Sequence, residues 1–160
     1  MRRGLRVAVV VTILGVITAS VAMASPGSSS TTRVINLISR ATAINDFVDI
    51  GPAGLSPGDL YVFSDRLFPV STPDEQVGTS DGRCVLIDPA TFRFDCSANV
   101  KLPDGQLMIA GTLTLVEGTT STGAIVGGTG AYRKARGEGS TTLGPLEGPH
   151  DVTIELILNP

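Results

Sequence analysis

The stretch Cys84-Val-Leu-Ile-Asp-Pro-Ala-Thr-Phe-Arg-Phe-Asp-Cys96 decides the fold. Asp88-Pro89 initiates a turn. On either side stand Cys84–Ile87 and Thr91–Phe94, runs of the β-branched and aromatic residues that favour strands. A hairpin centred near Ala90 sets Cys84 across from Cys96. Facing residues of a non-hydrogen-bonded antiparallel pair come close enough to form a disulfide. No other cysteines occur in the chain. A catalytic dithiol is more often spaced as CxxC, and a metal centre needs more ligands than two thiols and the single His150. The expected role of Cys84 and Cys96 is a structural bridge, with no metal.

The same pattern extends outward from this hairpin. Strand-like segments are expected at 33–40, 43–50, 59–67, 82–87, 91–99, 106–116, 122–126, 137–143 and 152–158. They are separated by turn sequences such as Gly51-Pro52-Ala53-Gly54, Ser56-Pro57-Gly58-Asp59, Pro103-Asp104-Gly105 and Gly144-Pro145. No segment keeps a helical period. Many short strands with such turns indicate an all-β sandwich or barrel, here one domain over 33–160. Alternation sets the faces: Val152, Ile154, Leu156 and Leu158 share one, and Tyr61, Phe63, Asp65 and Leu67 share another. The second set places one carboxylate among apolar side chains. A closed antiparallel β-barrel of about eight strands leaves an interior that holds one small ligand.

Composition narrows the function. Hydrophobic residues make up 42%, enough for a real core. There is no Trp, with only 2 Tyr and 5 Phe, which argues against an aromatic platform for single-stranded nucleic acid. The net charge is -3, and Arg2, Arg3 and Arg6 account for three of the 12 basic residues. From residue 25 onward nine basic residues face 15 acidic ones, and an acidic body repels phosphate backbones. Residues 1–24 read as a secretory signal: a basic start, an apolar run from Val7 to Ile17, and Ala22-Met23-Ala24 as the cleavage site. The competing reading is a retained membrane anchor, for which the apolar run is short against a bilayer core of about 30 Å. Arg2-Arg3 also carries a weak twin-arginine signal, and no Cys marks a lipoprotein. Residues 25–32 (SPGSSSTT) read as a flexible linker. Secretion, with membrane contact only through the leader, agrees with an oxidised cysteine pair.

Two further motifs carry a family resemblance. Gly58-Asp59-Leu-Tyr-Val-Phe-Ser-Asp65-Arg-Leu67, followed by Val77-Gly78 and Gly82-x-Cys84, resembles the allene oxide cyclase pattern GDL-x-x-F-x-N-K-L, then VG-x-x-x-G-x-C. Ala124-Ile-Val-Gly-Gly-Thr-Gly130-Ala-Tyr-Arg-Lys-Ala-Arg136-Gly137 is similar to the signature of plant dirigent proteins of the same barrel superfamily. The resemblance implies an eight-stranded barrel with an apolar cavity that moulds a reactive small molecule. It implies no cofactor, and it implies homo-oligomers. By the cyclase resemblance Asp65 stands where that family holds water with an Asn. By the dirigent resemblance Phe47-Val-Asp49-Ile50 matches an F-x-D-I segment, making Asp49 a candidate acid, and Arg133 and Arg136 match the signature arginines. The first strand lacks the cyclase Glu, and Ile109–Leu115 lacks the second dirigent Asp.

The candidate proton carriers are therefore Asp65 and Asp49. The candidate ligand contacts are Tyr61, Phe63, Arg133 and Arg136, the last able to orient an acidic or phenolic group. For Tyr61 and Tyr132, barrel packing explains the position equally well. Gly127-Gly128-Thr129-Gly130 lacks the Lys-Ser/Thr of a phosphate loop, and a lone His does not make a triad. Three functions stay open: a cavity that guides cyclisation or isomerisation of an apolar (polyketide-, oxylipin- or phenolic-like) molecule, a lipocalin-like carrier, and a filled barrel serving as a surface module.

Overall fold

In the computed structural model, residues 32–144 and 151–159 are described. The expected leader, all of the linker but Thr32, and His150 lie outside them. Eight strands form a closed antiparallel barrel in sequence order: β1 (Arg33–Val48), β2 (Leu60–Pro69), β3 (Gly78–Asp88), β4 (Arg93–Leu102), β5 (Gly105–Thr114), β6 (Thr120–Gly128), β7 (Arg136–Leu143) and β8 (Asp151–Asn159). β8 closes the ring against β1, with Arg33 opposite Leu158. Closure leaves no strand edge unpaired.

The first two of the nine expected strands are one. β1 runs through the expected break and accommodates it as a bulge: Ala41 pairs with Asp65 and Asn45 with Phe63, so two extra residues are extruded. Thr42 holds the bulge, its hydroxyl donating to Ser64 O at 2.6 Å and accepting from the Ile44 N–H at 3.2 Å. Two extra residues preserve alternation, so Asn45 and Phe47 continue the inward set of Leu37, Ser39 and Ala41.

The Cys84–Cys96 hairpin forms as its sequence indicates. The Asp88 carboxylate accepts from the Ala90 N–H (3.0 Å) and the Thr91 hydroxyl (2.7 Å), fixing the turn, and Phe92 takes a left-handed φ of 50° to complete it. Cys84 pairs with Cys96, and the two are disulfide-bonded with Cα atoms 4.0 Å apart.

The two ends of the barrel differ. The end formed by the start of β1 and the end of β8 is filled by Leu37, Leu67, Val100, Leu107, Ile125 and Leu156. Each large apolar side chain buried there contributes about 1.5–3 kcal/mol. A short 3-10 turn, Gly130–Tyr132, presses Tyr132 onto this floor, where the Arg33 guanidinium covers its ring at 5.6 Å. At the opposite end a smaller cluster of Leu86, Phe94 and the disulfide packs with Tyr61, Phe63 and Leu113. Most of the exposed large apolar side chains ring this end, among them Ile44, Phe47, Ile50, Leu55, Phe92 and Val116.

The β1–β2 loop crosses that rim and is tied down by Asp59, 2% exposed. Its carboxylate accepts from the backbone N–H of Ser56 (2.7 Å), Ile50 (3.0 Å) and Gly51 (3.4 Å). These bonds, led by the one from Ile50, hold the carboxyl below the ordinary carboxylate range. The Asp of the Gly58-Asp59-Leu60 motif is thus a loop clamp.

Candidate active site

Between floor and rim lies a cavity of about 150 Å³. A cavity of this volume lined by apolar groups takes up a molecule the size of benzene. It reaches from Val100 and Ile109 near the floor to Leu115 and Leu143 at the rim. Two walls define it. β2 supplies Tyr61, Phe63 and Asp65 by alternation, and the Cys84–Cys96 bridge continues that wall. Across the barrel, Gly111, Gly123 and Gly139 pair in a row on β5, β6 and β7, and the Ile109 side chain packs over Gly123 and Gly139. A Cβ on Gly111 would stand 2.6 Å from the Gly123 Cα, so the glycines are also what lets β5 and β6 approach.

The polar part of the cavity centres on Asp65. Its Oδ2 accepts from the Ser39 hydroxyl at 2.8 Å, and its Oδ1 from the Asn45 amide at 3.2 Å. The Asn45 amide also donates to Thr42 O at 3.2 Å, and its Oδ1 accepts from the Tyr61 hydroxyl at 2.7 Å. The bulge in β1 thereby positions the residue that joins Tyr61 to Asp65. Burial first, and the Asp65 charge second, push the Tyr61 hydroxyl above the ordinary phenol value. It remains a donor. Tyr61 is held from either side by Phe47 and Phe63, with ring centroids 5.1 and 5.9 Å away. Ser80, 3% exposed and paired with Asp65 across β2 and β3, adds a second hydroxyl to the wall.

Of the residues expected from sequence, Tyr61, Phe63 and Asp65 line the cavity together. Asp49 does not reach it. β1 ends at Val48, and Asp49 opens the following loop, exposed, its carboxylate accepting from the Gly54 N–H at 3.0 Å. Arg133 and Arg136 do not reach it either. Both are exposed at the floor end; the turn that buries Tyr132 leaves Arg133 outside, and Arg136 faces outward on β7, donating to Ala135 O at 2.8 Å. Among the described residues no Lys, Arg or His lines the cavity, and no cluster of His, Cys, Asp and Glu could hold a metal.

Sequence reasoning missed Ser39, Asn45, Ser80 and the glycine row. Ser39 follows Ile35 and Leu37 in alternation, and that was a usable signal. The three glycines align only once the strand register is known.

No curated protein matches the chain in sequence. Solved structures do match in fold. A pyocyanin demethylase is 25% identical with a TM-score of 0.64, over 78% of this chain and 99% of that one. The pterocarpan synthase dirigent protein GePTS1 is 19% identical with a TM-score of 0.68, over 81% of this chain and 85% of that one. AbnU, an exo-specific intermolecular Diels-Alderase, is 19% identical with a TM-score of 0.66, over 82% of this chain and 99% of that one. The family model for the allene oxide cyclase barrel like domain matches residues 39–154, which takes in the whole cavity wall. The chain therefore belongs to that family.

Proposed function

We propose that this protein is a small-molecule enzyme whose barrel guides the cyclisation or isomerisation of an apolar substrate by shape. Asp65 assists by accepting or returning a proton. The observation that carries this reading is a cavity of about 150 Å³ with a single carboxylate fixed at its wall by Ser39 and Asn45. Holding a substrate near its reactive conformation supplies a large share of a barrier reduction without strong acids or bases. A positioned proton carrier adds typically 10²–10⁴-fold. Solved proteins of this fold named as a Diels-Alderase and a demethylase support an enzyme over an inert module. The reading includes export, with cleavage after Ala24, because the disulfide suits an oxidising compartment. The intact mass of the exported protein, starting at Ser25, checks that part.

The test begins with organic extraction of the purified protein and native mass spectrometry, which also reports any homo-oligomer. A bound apolar molecule gives the substrate class. Asp65→Ala should then lower turnover on that class by about 100-fold. Unchanged turnover removes the role of Asp65, and a ligand that returns unaltered makes the protein a carrier.

A further inference from the structure

Among the described residues the cavity wall carries one carboxylate, Asp65, and no cationic side chain. Its two oxygens accept from Ser39 and Asn45, which are neutral, so the charge is held in place and left uncancelled. Nearby cations are engaged elsewhere. Arg40 lies over the Phe68 ring at 4.6 Å and donates to Pro73 O, and Lys101 pairs with Asp81 at 3.2 Å. Arg136 lies beyond the filled floor. The Tyr61 proton is directed at Asn45, so the hydroxyl oxygen keeps accepting capacity. Facing this acceptor-rich wall are the glycine row and the Ile109 side chain packed over it, an apolar surface for a ring. A carboxylate entering the cavity would meet the Asp65 charge with no cationic side chain on the wall, whereas a positive group would complete an ion pair beside two aromatic faces.

We infer that the cavity selects ring-sized apolar molecules whose polar group is an N–H or O–H donor or a positive charge, and that it excludes carboxylic acids. This rests on the cavity being the binding site. It replaces the sequence expectation that Arg136 orients an acidic or phenolic group: acids are excluded, and a phenol is held by Asp65 and Tyr61.

The test uses three probes on one benzene ring: benzylammonium, phenol and benzoate, titrated at pH 7 by calorimetry into the full protein. The ammonium and the phenol should bind at least about 10-fold more tightly than the benzoate. Asp65→Asn, checked for folding by circular dichroism, should bring the ammonium and the benzoate within about threefold of each other. Arg136→Ala should leave the wild-type ranking unchanged. Benzoate binding as tightly as the ammonium in the wild type, or loss of benzoate binding in Arg136→Ala, overturns the inference alone. The wild-type ranking decides the matter even if Asp65→Asn does not fold. Failure of every probe to bind removes the cavity reading, and the inference with it.

Discussion

Asp65 and Tyr61 are joined through Asn45, and the Asp65 charge makes the Tyr61 proton harder to remove. In a Tyr132→Phe background, absorbance of the remaining phenolate should rise only above the ordinary phenol value of about 10. Asp65→Asn should move that rise part of the way down, since the carboxylate is the second cause of the shift and burial the first. The value in the folded protein is raised. The stability Tyr61 contributes is therefore complete below the ordinary phenol value and is lost as pH rises through the raised one. A Tyr61 that ionised at the ordinary value in the folded protein would contradict the burial described above. Alternation made Asp65, Tyr61 and Phe63 legible, because a strand has only two faces. Arg133 and Arg136 were misplaced because a motif gives neighbours in sequence, while a three-residue turn decides which of them faces inward.

At the level of strands, the bulge in β1 and the glycine row determine what the cavity can be. In sequence the bulge reads as a break between two strands at Ala41-Thr42, since two extra residues in a strand look the same as a short turn. The glycine row admits a paired test. Gly111→Ala forces β5 from β6 and should cost about 1–3 kcal/mol in urea unfolding. On the neighbouring strand β6, Gly127→Ala meets nothing within 4 Å and should be neutral, or stabilising by about 0.5–1 kcal/mol. Equal destabilisation by both substitutions would mean that strand approach is not why Gly111 is a glycine.

For the molecule as a whole, closure and the cross-strand bridge bear on stability. Replacing both cysteines with serine frees a segment with a sequence separation of 12 and should cost about 3 kcal/mol, read from the denaturant midpoint. A midpoint that stays put would show that the hairpin is held by its pairing alone. The barrel was legible from the chain because each strand pairs with its sequence neighbour, so hairpin signals add up to the whole sheet. Only the β1–β8 seam is long-range, and no local pattern announces it.

The floor has a further consequence. Leu37, Leu67, Leu107 and Leu156 stop that end of the barrel, so among the described residues the chamber opens toward the rim. On the proposed function, a product formed inside would leave toward the same rim from which the next molecule arrives.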